Sequence, residues 1–220
     1  MIVLAIDTTT ARESSAVAAD GAVRGEVRLH STDTHSRRLM PAVDFLLAQL
    51  GLAPSAVDGF AVTVGPGSFT GLRVGLSTVQ GLALAAGRPC FGASALDVHA
   101  ARIAGAAPRL VALMDAYRGE VFAGAYDEAA RALGPPVVTA LEPWLRTLPP
   151  GCAFTGDAAE SQRALIEAVC DAPVFPRRSL FLAGTLALLG EQALRAGNGI
   201  PPGALRPLYL REAAIRSSGR

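Results

Sequence analysis

Asp7 closes a compact apolar run, "IVLAIDT", and three threonines, Thr8 to Thr10, follow or overlap its end. Gly65, Gly67 and Gly71 close a second such run, "DGFAVTVGPG", continuing into "SFTG". A carboxylate at a strand tip facing a glycine loop has two roles open to it. It can hold magnesium through water or orient a nucleophile. It can equally be a turn aspartate that accepts amide hydrogens.

The loop itself is spaced G-x-G-x-x-x-G, one residue longer than the dinucleotide fingerprint. No G-x-x-x-x-G-K-[ST] is present, which excludes the phosphate loop of NTPases. Ser68 or Thr70 is placed to cap the helix that follows, a contact worth about 1 kcal/mol. Free amides at such a helix start form an anion seat. Gly65, Gly67, Ser68, Thr70, Gly71 and Arg73 are therefore the candidate nucleotide or anion loop. Arg73 has two readings, a partner for an anion and a surface salt bridge. Gly71 and Gly75 lie four apart on the helix, and helical glycine costs about 1 kcal/mol against alanine, so another backbone must come close. Spacing leaves open whether that backbone belongs to this chain or to a partner.

The elements that position these residues follow from periodicity. "SSAVAAD" and "AVRGEVRLH" read as strands joined at Asp20-Gly21, a hairpin signal. From Ser36 to Leu50, apolar residues recur every three or four positions, Leu39, Met40, Val43, Leu46, Leu47 and Leu50, predicting an amphipathic helix ended by Gly51. A helix over Thr70–Ala86, a strand "CFGAS" and a helix over Ala95–Ala104 complete an order β-β-β-α-β-α-β-α. A similar order recurs in "RLVALMDAY", "EVFAGAYD", "PPVVTAL", "EPWLRTL", "CAFTGDA" and "AESQRALIEAV". A long helix in "SLFLAGTLALLGEQALRAG" and a proline-broken tail close the chain. The expectation is a duplicated α/β fold of two βββαβα units, 1–105 and 106–220, divided near Gly105 to Pro108. The final helix and tail are expected to have the option of packing back on the first unit.

The chain has 220 residues, half of them hydrophobic, and a net charge of +1, enough for a substantial core and unlike a free-standing nucleic-acid binder. All twenty basic residues are arginine, as a GC-rich genome favours, so no Schiff-base or phosphate-loop lysine exists. Cys90, Cys152 and Cys170 are odd in number and far apart, the usage of reduced thiols in a cytoplasmic protein. No signal peptide or membrane span is expected.

The strings "LAIDTTT", "VTVGPGSFTGLRVG", "MDAYRGEVFAGAY" and "RPLYLR" together resemble the bacterial TsaB (YeaZ) family over essentially the whole chain. The resemblance implies the two-lobed actin/Hsp70/sugar-kinase fold. It also implies a role in making threonylcarbamoyladenosine beside the anticodon of tRNA, as the non-catalytic partner of a TsaD-like catalytic paralogue and with a TsaE-like ATPase. No cofactor is assigned to the chain itself; ATP or ADP and magnesium enter at the level of the complex. The paralogue carries a metal-binding H-x-x-x-H, and here Ala95 and His99 align with its two histidines. One imidazole does not hold a catalytic metal, so no metal site is expected. A glycine pair for adenosine has its nearest counterpart in Gly156-Asp157, which a strand-end turn explains equally well.

In the family the helix Ser36–Leu50 and the glycine-loop helix resemble the surface that binds the paralogue. Leu39, Met40, Val43, Phe45, Leu46, Leu47, Leu50 and Gly75 are the candidate interface, with Phe45 off the apolar stripe. The stripe has a second reading as the inward face of an amphipathic helix. Monomer and homodimer both stand open for the isolated chain. The rival functions are a free-standing ATPase or phosphotransferase using Asp7, with Gly65 to Gly71 as phosphate seat, and a glycoprotease-type hydrolase. No Ser-His-Asp or H-E-x-x-H arrangement is visible for the latter.

Overall fold

The computed structural model describes residues 1–30 and 34–210. The first unit runs β1 (Ile2–Asp7), β2 (Arg12–Ala19), β3 (Ala22–His30), α1 (His35–Gln49), β4 (Gly59–Gly65), α2 (Phe69–Ala86), β5 (Cys90–Ser94) and α3 (Ala95–Arg102). The second runs β6 (Arg109–Asp115), β7 (Glu120–Asp127), β8 (Val137–Ala140), α4 (Leu141–Leu145), β9 (Ala153–Thr155), α5 (Asp157–Ser161) and α6 (Arg163–Val169). The last helix is α7 (Ala183–Arg195).

The first sheet has the order β3-β2-β1-β4-β5, with β1, β4 and β5 parallel and the hairpin β2–β3 antiparallel. The second repeats it as β8-β7-β6-β9, one strand short. The place of the fifth strand is taken by a single parallel bridge, Ala153 to Val174. Parallel strands need both faces covered, and five layers supply this. Leu4, Ile6, Val17 and Val62 on one face of the first sheet pack against Leu39, Val43, Leu46 and Leu47 of α1 and Leu76 and Val79 of α2. Val3, Ala5 and Ala61 on the other face share a core with Leu96 of α3, Leu186 of α7 and Leu110, Ala112 and Met114 of β6. Val111, Leu113 and Phe154 on the far side of the second sheet meet Leu141, Leu145 and Ile166 of α4 and α6.

Some boundaries differ from the periodicity. The helix expected through "AESQRALIEAV" is two, α5 and α6, because Gln162 at φ −103° and ψ 17° lies outside helical geometry. α7 begins later than its apolar run, at Ala183. Ser14 Oγ accepts the Ala183 amide at 3.1 Å and Glu26 accepts the Gly184 amide at 3.3 Å, so the first sheet itself supplies the cap. α7 crosses to that sheet, and Gly190 brings it against Ala61 and Val3. Of the tail, residues 211–220 lie outside the described residues. Among the described residues no helix is long and apolar enough to cross a membrane.

Candidate functional site

Asp7 is 1% exposed, and its Oδ1 accepts three hydrogen bonds: Thr9 Oγ1 at 2.7 Å, Thr63 Oγ1 at 2.7 Å and the Thr9 amide at 3.2 Å. Burial pushes the carboxyl above its ordinary value, while the Thr63 and Thr9 donors and the charge of His35 pull it down. The Thr9 contacts are those of a turn aspartate, and Thr63 ties the turn to β4.

The glycines lie directly over this turn. A Cβ on Gly71 would collide with the Thr8 carbonyl oxygen, one on Gly67 with Thr9, and one on Gly75 with Thr8 Oγ1. Gly65, at φ 123°, faces the Leu208 carbonyl. Thr8 Oγ1 donates to the Gly71 carbonyl at 2.7 Å, and the Ser68 amide donates to the Thr9 carbonyl at 2.7 Å. The backbone that comes close to the helical glycines is therefore the chain's own β1 tip.

Ser68, and not Thr70, caps α2, its hydroxyl accepting the Gly71 amide at 3.2 Å. Arg73 makes no salt bridge among the described residues. Its guanidinium lies 3.9 Å over the Phe69 ring and its Nε donates to Tyr209 Oη at 3.3 Å, while Phe69 and Tyr209 stack at 5.4 Å. The ring face holds the guanidinium by a cation–π contact. A nucleotide with magnesium is the group that this fold implies, and the residues do not fit it. The space such glycines would open is filled by Thr8, Thr9 and Leu208, and Asp7 Oδ1 already carries three donors.

The α1 stripe corrects the expected interface. Leu39, Val43, Leu46 and Leu47 are buried in the core and Leu50 is half-buried, so the stripe is the inward face. Gly75 is buried against Thr8. Met40, at 38% exposed, and Phe45, at 58%, point outward from α1. The outward residues of α2 include Phe69, Arg73, Ser77, Gly81 and Leu84, with Leu84 at 75% exposed. Gly81 has nothing within 4 Å of an added Cβ. Periodicity missed Gly81 and Leu84 because it scores the buried face of a helix. An exposed glycine in mid-helix was the available signal.

Sequence reasoning also missed a half-buried pair beside Asp7. His35 Nδ1 at the start of α1 lies 2.8 Å from Glu13 Oε2 on β2, and Glu13 is buried. In the second unit Gly156, at φ 105°, lies against the Leu113 carbonyl, and Asp157 accepts the amides of Asp115 at 3.2 Å and Ala158 at 2.9 Å. That is a strand-end turn.

Residues 23–170 match the family described as "TsaD: tRNA N6-adenosine threonylcarbamoyltransferase". The Escherichia coli tRNA threonylcarbamoyladenosine biosynthesis protein TsaB is 39% identical over 128 residues, 57% of this chain and 55% of that protein. The solved structure of YeaZ from Pseudomonas aeruginosa matches with a TM-score of 0.81 at 32% identity, over 95% of this chain and 99% of that one. The chain belongs to the TsaB/YeaZ family. It spans 55% of the length of the first curated relatives it matches. At 10% identity and a TM-score of 0.55, component A of the Acidaminococcus fermentans (R)-2-hydroxyglutaryl-CoA dehydratase shares the fold alone. That fold is the two-lobed actin/Hsp70/sugar-kinase architecture.

In this TsaB/YeaZ family member the two positions expected to match the paralogue's histidine pair fall on α3. Ala95 and His99 lie one turn apart on it, and both are buried. Among the described residues His99 Nδ1 has no hydrogen-bond partner, and burial, then the charges of Arg102 and Arg12, push the imidazole down to about 3. It is neutral at pH 7. Among the described residues no three His, Cys, Asp or Glu side chains gather as a metal would require.

Proposed function

We propose that the chain is a non-catalytic subunit in threonylcarbamoyl transfer to the adenosine beside the anticodon of tRNA. It binds a TsaD-like catalytic subunit and organises it, in a cytoplasmic complex that also takes a TsaE-like ATPase. The observation that carries this reading is the outer surface of α1 and α2. Met40, Phe45, Phe69 and Leu84 are large apolar side chains left in water, and Gly81 opens a shallow place among the outward residues of α2. A helix of the catalytic subunit laid across Gly81 would cover these residues. A second copy of this chain is the other occupant of the same surface, giving a homodimer when the partner is absent.

The glycine loop supports the division of labour. It keeps the strand–glycine–helix outline of a nucleotide-binding fold while its concavity is filled by Thr8 and Thr9, so no observation favours a free-standing ATPase. The test is transfer to unmodified tRNA by this chain, a TsaD-like subunit and a TsaE-like ATPase, each omitted in turn. Activity that needs this chain and survives His99→Ala fits an organising subunit. Undiminished transfer without the chain, or turnover by the chain alone, would sink the reading.

A further inference from the structure

Between α6 and α7 the chain runs without helix or strand through Phe175-Pro176-Arg177-Arg178-Ser179-Leu180-Phe181. Both aromatic ends are anchored. Phe175 stacks on Phe154 at 5.8 Å and carries the Arg163 guanidinium 4.4 Å above its ring. At the other end the Phe181 carbonyl accepts Arg102 Nη1 at 2.8 Å, and its ring lies 5.7 Å from the Arg28 guanidinium. The two arginines between are thus presented by a strap fixed at each end.

Arg177 and Arg178 are exposed, and among the described residues they make no ion pair and no hydrogen bond. Other arginines nearby are matched, Arg28 by Glu26 at 2.7 Å and Arg163 by Glu167 at 2.8 Å. Beside the strap opens a cleft lined by Thr155, Gly156, Arg163, Arg177 and Arg178, with Glu160 its acidic residue. Glu160 itself faces Arg12 across the two units at 3.9 Å. The surplus of positive charge reaches inward. Burial first holds the Arg102 guanidinium below its ordinary value, and the charges of Arg28 and Arg178 add to this against the pull of Glu26.

We infer that Arg177 and Arg178, on this strap at the rim of the Arg163 cleft, take backbone phosphates of the tRNA while the chain is docked on its catalytic subunit. The inference rests on the function proposed above. Guanidinium groups suit phosphate because they donate two parallel hydrogen bonds and keep their charge at any working pH. Two free guanidiniums on a strap pinned by Phe175 and Phe181 meet the substrate backbone with little loss of chain freedom. They read no sequence, as befits contact with a set of tRNAs sharing a shape.

The test is binding of unmodified tRNA to the assembled complex, by fluorescence anisotropy over a range of salt concentrations. The double variant Arg177→Glu/Arg178→Glu should weaken tRNA binding about tenfold or more and lower the slope of log K against log salt by about 1 to 2. Its thermal melt and its affinity for the catalytic subunit should match the wild type. Arg146→Glu, a charge reversal at the residue that follows α4, should leave tRNA binding as it was. Unchanged affinity and slope in the double variant overturn the inference, as does an equal loss in Arg146→Glu. Loss of subunit association with tRNA binding intact makes the strap a protein contact and overturns it as well. The transfer assay separates the two readings. A dispensable chain sinks the proposed function, whereas a required chain whose double variant binds tRNA normally sinks only this inference.

Discussion

Thr8 and Gly71 are fastened to each other twice. The Thr8 hydroxyl donates to the Gly71 carbonyl at 2.7 Å, and the Thr8 carbonyl occupies the place a Gly71 side chain would need. The tip of β1 and the first turn of α2 therefore form one packed unit, and substitutions there act on stability before anything else.

Gly71→Ala and Gly75→Ala test that packing through their sign. Alanine in a helix ordinarily stabilises by about 1 kcal/mol over glycine. Here each added methyl meets Thr8, so both variants should lose about 1 to 3 kcal/mol in urea denaturation, Gly71→Ala the more because it meets backbone. A gain in either would refute the packing account.

Gly81→Ala should do the opposite. With open space around the new methyl, the isolated chain gains about 0.5 to 1 kcal/mol. If a partner helix lies across Gly81, the same variant binds the catalytic subunit several-fold more weakly, by calorimetry. A more stable chain with unchanged affinity moves the docking surface elsewhere.

Adjacent residues of α1 should part company. Leu46 is 3% exposed and Phe45 is 58% exposed. Leu46→Asp places a charge in the core and should leave little folded protein. Phe45→Asp should melt within about 0.5 kcal/mol of the wild type yet lose association with the catalytic subunit. A Phe45→Asp chain that still associates normally counts against α1 as part of the surface.

His99 should set part of the acid sensitivity. Its folded value, about 3, lies below the ordinary 6.5, so the unfolded chain binds the extra proton. The contribution is fully present above pH 6.5 and is lost as pH falls toward 3, by about 1.4 kcal/mol per unit within that window. Asp7, Asp97 and Asp157 are pushed up by burial and titrate with the opposite sign. The readout is therefore the difference between wild type and His99→Gln, whose stability should fall less steeply from pH 6.5 to 5. Parallel curves would mean that His99 titrates alike in both states.

Local pattern carried the element order well. The compact apolar run in "IVLAID" and the Asp20-Gly21 turn are short-range signals, and strands and hairpin fall where they point. The meaning of Gly71 and Gly75 was not local. Spacing required that some backbone come close, but Thr8 is brought there only when β1 and β4 pair and lay the β1 tip beside α2. For the same reason the apolar stripe of α1 was visible while its inward direction was not, and Arg73 showed its charge but not Phe69 beneath it. The missing fifth strand of the second sheet had no sequence signal, because Val174 makes one bridge and goes no further.

The crossing of α7 to the first sheet has a consequence for how the protein is made. The strands of that sheet are complete once Ser94 has left the ribosome, but the helix that covers one of its faces begins at Ala183. Val3, Ala5 and Ala61 must therefore wait, uncovered on the α7 side, while the whole second unit is synthesised. A nascent chain stalled before α7 would present that face to chaperones, and the released protein would not.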